Sequence, residues 1–224
     1  MADIYAFPTG ANPHGTTRDD AAQDLPGRPC GVPDAVWDAV ESIRAMRRID
    51  GMGYREIPVP ASLADYGIGV AIEVASAAHG RGADGTYPFD DLPSSAPAVA
   101  TGWIMTLYSN DERPDWGSHW RCVAFASLPL PRAENDPLAP GMYWDDMCGW
   151  LKAAEPDSVG GTVTVTQNTT FGSLGDGGSA GCEMRVSFTP AVHTGVPFDA
   201  GAHVAAWASF LRSTIHFNEG ATVD

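Results

Sequence analysis

The sequence predicts a single α+β domain with a mainly antiparallel sheet of about five strands and three helices. Apolar residues recur at three- and four-residue steps in some segments and alternate with polar residues in others, the two patterns of amphipathic helices and half-buried strands. Polar turns join the strand segments, which favours antiparallel pairing. The order is helix, three strands, helix, two strands, helix, and such segregated helices are typical of α+β domains.

Size and charge limit the classes of protein to which the chain can belong. It has 224 residues, 44% of them apolar, and its 13 basic and 28 acidic residues give a net charge of −15. This length suffices for one buried core. Because so acidic a surface repels phosphate backbones, nucleic-acid binding is not expected. Neither a membrane span nor a signal peptide is visible, so a cytoplasmic protein without membrane contact is predicted.

Composition also sets the expected domain boundaries. Residues 1–32 are rich in Gly, Pro, Thr and Asp without a period, and are predicted to form a disordered or irregular tail. Residues 33–224 form the domain. Within it, residues 76–97 are a long polar insertion, which is either a functional flap or, as we favour, a tolerated insertion.

Three segments carry a helical period. The first begins at Pro33, with acidic residues in its first half and Arg44, Arg47 and Arg48 in its second, an order that complements the helix dipole. The second runs from about Pro140 to Ala154. The third is capped by Asp199, and its buried stripe is predicted to comprise Val204, Trp207, Ala208, Leu211 and Ile215.

Five segments are predicted strands. They cover residues 68–74, 98–108, 118–128, 162–171 and 182–188. Trp103 and Trp120 are expected in the core on neighbouring strands, and the glycine-rich stretch at 172–178 is expected to be a hairpin connection. Residues 54–60 are extended, but Pro58 and Pro60 keep them out of a sheet interior. This element order resembles the bacterial secretion-chaperone-like fold, a twisted antiparallel sheet with helices packed around it.

The cysteines and carboxylates do not form a recognisable reactive site. The four cysteines lack a C-x-x-C pair, which argues against structural zinc. Cys122, Cys148 and Cys182 lie within apolar patterns and are predicted to be buried thiols, which favours a reducing compartment. Cys–His pairs can be drawn (Cys122 with His119, Cys182 with His203), but no local signature supports them. The acidic stretch at 132–157 is interpreted as solvated surface. We therefore predict no metal, no cofactor and no assignable catalytic residue.

One short segment could line a ligand pocket. Residues 116–121 bring together Trp116, His119 and Arg121, whose aromatic, imidazole and guanidinium groups could bind a small molecule with His119 as acid or base. The alternative is a structural role for all three side chains. They are the candidate ligand-binding residues that the sequence offers.

A set of short motifs extends over about residues 34–217: Arg44-Ala45-Met46-Arg47, Glu56-Ile57-Pro58-Val59-Pro60-Ala61, Leu63-Ala64-Asp65-Tyr66, Ala100-Thr101-Gly102-Trp103, Trp120-Arg121-Cys122-Val123, Asp136-Pro137-Leu138-Ala139-Pro140, Trp144, Gly161-Thr162-Val163-Thr164 and Phe171-Gly172-Ser173-Leu174. With these motifs the chain resembles an uncharacterised actinobacterial family, the domain of unknown function numbered three thousand. The resemblance implies no activity and no catalytic residues. The family's genes often lie beside one for a ribonuclease D-like protein, which implies an association with RNA metabolism.

Three functions are compatible with these observations. The favoured hypothesis is a non-enzymatic, acidic protein-binding or chaperone-like module, with a protein partner or a second copy as its ligand. The alternatives are a small-molecule enzyme or ligand-binding protein with a pocket near His119, and an accessory protein in RNA metabolism. An exposed apolar patch would favour the first and a deep polar pocket the second.

Overall fold

Six antiparallel strands form one sheet in this computed structural model, which describes residues 27–75, 99–130, 138–174, 177–193 and 195–215. The strands are β1 (Met52–Ile57), β2 (Tyr66–Ala75), β3 (Val99–Arg113), β4 (Ser118–Leu130), β5 (Gly160–Thr170) and β6 (Gly177–Phe188), and the helices are α1 (Asp34–Ala45), α2 (Ala139–Trp150) and α3 (Ala200–Ser213). The spatial order of the strands is β1-β2-β3-β4-β6-β5. The α+β prediction is confirmed.

The core lies between one face of the sheet and the three helices. The alternating residues of β2 and the predicted stripe of α3 are all buried, together with Val36, Val40 and Ile43 of α1 and Met147 of α2. Burial of these apolar side chains is the main favourable contribution to folding. Asp199 caps α3 as predicted, since its Oδ1 accepts a hydrogen bond from the Ala202 amide at 2.9 Å.

Small residues on β3 let α3 approach the sheet closely. A Cβ at Gly102 would lie 2.5 Å from the Phe125 carbonyl oxygen and 3.0 Å from Leu211 Cδ1. The same carbonyl accepts a hydrogen bond from Trp207 Nε1 at 3.2 Å. The indole thus fills the space above the glycine and satisfies its own buried donor.

The sheet has one strand more than the five that were expected. Residues 52–57 form β1, which pairs with β2 at the edge of the sheet. The prolines at 58 and 60 do keep the segment out of the interior, but they follow the strand and leave its amides free to pair. The polar turn expected between the strands at 98–108 and 118–128 is shorter than predicted, because β3 continues to Arg113 through an irregularity in its pairing with β4.

The expectation that Trp103 and Trp120 share the core is wrong. Trp120 is 5% exposed and lies in the core, whereas Trp103 lies on the other face, opposite Phe125. Neighbouring residues of a strand point to opposite faces, and the core face of β3 is lined by its even-numbered residues. The larger odd-numbered side chains therefore face away from the helices.

Some expectations fall outside the part of the chain that is described. The insertion at 76–97 and residues 1–26 of the expected tail belong there. Of residues 27–32, Val32 is 6% exposed and joins the core. None of the described helices combines the length and apolarity needed to cross a membrane.

Candidate functional site

The predicted trio at 116–121 lies at the end of the β3–β4 hairpin. Arg121 donates hydrogen bonds to the hydroxyl groups of Thr189, at 3.0 Å, and Ser187. Thr189 in turn donates to the Trp116 carbonyl at 2.7 Å, so the structure connects Arg121 with Trp116 through one hydroxyl. Arg113 lies 4.3 Å from the centre of the Trp116 ring. Partial burial lowers the pKa of the Arg121 guanidinium.

His119 has contacts different from those of the other two residues. Its ring is exposed, its Nδ1 lies 2.9 Å from the Ser109 carbonyl oxygen, and it stacks on Tyr108 with the ring centres 5.9 Å apart. A histidine that acts as a general acid or base needs a ring nitrogen that can reach a bound substrate. Because Nδ1 faces a backbone carbonyl, Nε2 is the nitrogen left to meet a ligand.

The thiols and the second histidine are placed for packing. Cys122 and Cys182 are buried, and burial raises the pKa of the Cys122 thiol, which keeps it protonated and unreactive. His203 is 5% exposed, and burial lowers its pKa to about 4. Among the described residues, no group of three or more His, Cys, Asp and Glu side chains could hold a metal ion.

The sheet face away from the helices carries an apolar cluster that we call the open face. Its centre consists of Trp103 and Met105 on β3 opposite Phe125 and Val123 on β4. The rings of Trp103 and Phe125 stack with their centres 5.8 Å apart and their planes 21° from parallel. All four side chains remain partly exposed to solvent.

Arginines and glutamates flank this cluster. The strand register places Arg55 of β1, Ala71 of β2, Trp103, Phe125 and Arg185 of β6 in one row across the sheet. Arg185 reaches over Phe125, with its guanidinium carbon 5.5 Å from the ring centre, and pairs with Glu183 at 2.9 Å. Such a cation over an aromatic face is favourable by about 0.5–1 kcal/mol where it is exposed.

The charges on this face differ in sign from the chain as a whole. Where the strands pair in regular register, arginines 55, 121 and 185 and glutamates 73 and 183 point to this side of the sheet, so the sum over these residues is 3 − 2 = +1. The chain carries −15. The open face is therefore the mildly basic, apolar part of an acidic protein.

The sequence analysis did not find this surface, although a signal was present. Strands β3 and β4 are apolar at odd as well as even positions, with the bulky side chains at the odd ones. A strand that is covered on one face only has polar residues on the other. Apolar residues at both sets of positions indicate a second contact surface.

The chain matches a protein-family model over most of its length. The model of a protein of unknown function, DUF3000, matches residues 32–216. The chain belongs to this family. This confirms the resemblance inferred from the short motifs and agrees with the extent of 34–217 expected for it. Searches of curated proteins and of solved structures gave no significant match.

The family model includes nearly all of the described fold. It begins at Val32, which is buried against the core, and ends one residue after Ile215, which is buried just beyond the end of α3. The open face, the hairpin with Trp116, His119 and Arg121, and all six strands of this DUF3000 chain lie within the matched range.

Proposed function

We propose that this protein is a non-enzymatic binding module for a protein partner, and that the open face is its binding surface. The observation that carries the proposal is the stacked pair of Trp103 and Phe125, left partly exposed in the middle of a sheet whose other face is covered by helices. Aromatic side chains at the centre of a patch and arginine around it are the residues enriched in protein interfaces.

The charge pattern indicates the chemistry of the partner segment. Arg55 and Arg185 are exposed in the row that contains the aromatic pair, one on each side of it. Carboxylates that flank an apolar stretch would meet Arg55 at one side and, at the other, Arg185, where they would compete with the Glu183 carboxylate that already pairs with it. We therefore propose a partner segment with an apolar centre and acidic residues beside it.

The two alternatives have less support. For an enzyme near His119, the neighbouring Arg121 and Trp116 are already bonded within the protein, through Ser187 and Thr189. An RNA-associated role could use the stacked rings as a platform for bases. The net charge of −15 opposes binding of a polyanion, so a protein partner is favoured.

We also propose a cytoplasmic location. None of the four cysteines forms a disulfide, and two of them, Cys122 and Cys182, are buried in the core. Proteins of oxidising compartments use their cysteines in disulfides more often than not. Detection of the protein in fractionated cells, with a secreted and a membrane marker as references, tests the proposal.

Photocrosslinking tests the binding surface. A photoreactive phenylalanine analogue replaces Phe125 in the protein produced in its own cells, and the crosslinked products are identified by mass spectrometry. We expect one major protein adduct whose crosslinked peptide is apolar with acidic neighbours. Trp103→Ser and Arg185→Gln should each reduce the yield at least fivefold, because they remove the stacked ring and one flanking cation.

Thr101→Ser is the matched control, since it changes an exposed residue of the same face without altering charge or aromatic surface. Circular dichroism of each variant confirms that the fold is retained. An adduct that ribonuclease removes would show RNA on this face and overturn the proposal. So would a yield that Trp103→Ser and Arg185→Gln leave unchanged.

A further inference from the structure

Strand β5 is an open edge of the sheet. It is 11 residues long and pairs along its whole length with β6 on one side. Within the described ranges it is the last strand of the sheet, so the outward-pointing backbone amides and carbonyls of residues 160–167 face no other strand there. A row of such groups is a template for an additional strand.

The two edges of the sheet differ in how they resist pairing. Strand β1, at the other edge, has only six residues, two of which are the charged Arg55 and Glu56, and Pro58 follows it. Shortness, charge and proline are the usual devices that block an edge. Strand β5 has none of them, because it is long and contains neither a charged residue nor a proline between Gly160 and Thr170.

Net charge explains why this strand suits a second copy of the chain. Two molecules of charge −15 repel each other over most of their surfaces. Because β5 itself carries no charge, pairing along it places no like charges directly opposite each other on the two strands. Hydrogen bonds between the two backbones would then form along an uncharged strand.

We propose that two copies of this chain pair through β5, antiparallel and about a two-fold axis at Thr164, to give a continuous twelve-stranded sheet. In this register Val163 lies opposite the partner's Val165 on the helix side. On the other side, Thr162 lies opposite the partner's Thr166, and the two copies of Thr164 face each other. Val–Val and Thr–Thr pairs are both favourable across antiparallel strands.

Neighbouring registers lose this self-complementarity. A two-fold axis at Val165 would place Val163 opposite Gln167, and one at Val163 would place Val165 opposite Gly161. An axis between two residues would bring side chains from opposite faces together. The register at Thr164 is therefore the one that pairs all the valines, which are partly buried against the core. This dimer uses a surface different from the open face and does not depend on the proposed function.

Disulfide trapping tests the register. In a background of Cys30→Ser and Cys148→Ser, which removes the exposed and half-buried thiols, Thr164→Cys should form a covalent dimer under mild oxidation. Thr162→Cys is the matched control: its two copies would be four residues out of register, about 14 Å apart, beyond the reach of a disulfide. The pair Thr162→Cys with Thr166→Cys should crosslink again.

The mass in solution tests the dimer itself. Sedimentation at several concentrations should give twice the chain mass of 23.6 kDa for the wild type. Thr164→Lys, which places two ammonium groups on the axis, should weaken dimerisation at least tenfold, whereas Thr101→Lys, the same change away from the edge, should leave it unchanged. Should Thr164→Lys not fold, the cysteine variants still decide the register.

Three results would overturn the proposal. One is a wild type that stays monomeric at every concentration. Another is a dimer in which Thr164→Cys crosslinks no faster than Thr162→Cys. The third is protection of the β5 amides from hydrogen exchange only when a different protein is added, which would assign the edge to that protein.

Discussion

His203 makes the stability of this fold depend on pH. Its imidazole lies on α3, 5.6 Å from the Phe188 ring centre and 5.4 Å from that of Phe198. Burial lowers its pKa from 6.5 to about 4, against a smaller opposing effect of the Asp199 carboxylate. The folded protein therefore keeps this imidazole neutral, while the unfolded chain takes up a proton below about pH 6.5.

The sign and size of the effect follow from these two values. As the pH falls from 6.5 toward 4, the unfolded state binds a proton that the folded state does not, so the free energy of unfolding decreases. One pKa unit corresponds to about 1.4 kcal/mol, so the full contribution is about 3 kcal/mol. About 2 kcal/mol of it should be lost between pH 7.5 and pH 5, before most carboxylates begin to titrate.

Urea denaturation at a series of pH values measures this contribution. His203→Phe keeps an aromatic ring beside the two phenylalanines and removes the titrating group, so its loss of stability over that range should be smaller by about 2 kcal/mol. His193→Gln, which changes an exposed histidine, should keep the dependence due to His203. If His203→Phe loses as much stability as the wild type over the same range, the assignment to His203 is wrong.

Three further predictions concern packing, capping and thiol chemistry. Gly201→Ala should destabilise the protein by about 1–3 kcal/mol, because its Cβ would meet the Ser42 carbonyl oxygen where α3 crosses α1. Gly141→Ala in α2 is the control, since its methyl group enters open space, and the urea concentration at the midpoint of unfolding should equal or exceed that of the wild type. Asp199→Ala should lower the free energy of unfolding by about 1 kcal/mol through loss of the cap on the Ala202 amide, whereas Asp199→Asn should retain most of the stabilisation by the cap. A colorimetric thiol reagent should label the exposed Cys30 in the native protein and reach the buried Cys122 only after denaturant is added; fast labelling of Cys122 without denaturant would contradict its burial.

Elements with a local signal were predictable from the sequence. The stripe of α3 and its Asp199 cap follow from spacing within a single helix, and the alternation in β2 follows from one strand. Both kinds of pattern depend on neighbours along the chain. The structure confirms them because tertiary packing agrees with the local preference.

The choice between the two faces of a strand could not be predicted in the same way. The sequence shows that Trp103 and Met105 share a side of β3, but not whether that side meets the helices. Which side of β3 meets the helices depends on the contact between Gly102 and Trp207, more than a hundred residues later in the chain. Their close packing places α3 over the small side chains of β3. For the same reason β1 was missed, since its pairing with β2 is a contact between segments rather than a pattern within one.

The contacts of the candidate ligand-binding residues could not be predicted from the sequence either. The residues at 116–121 were selected because they are chemically versatile neighbours in sequence, and the structure connects Arg121 with Trp116 through Thr189, far away in the chain. The open face and the charges beside it are assembled from five strands and are visible only when the register of those strands is known. Its centre of Trp103 and Phe125 is a product of pairing between strands.

The most direct test of the central claim compares crosslinking from the two sides of the molecule. The photoreactive residue is placed at position 125 on the open face, and, in a second protein, at the exposed position 38 of α1. If the open face is a protein-binding surface, position 125 should give a single protein adduct with at least ten times the yield from position 38. Equal yields from both positions, or no protein adduct from position 125, would contradict the account.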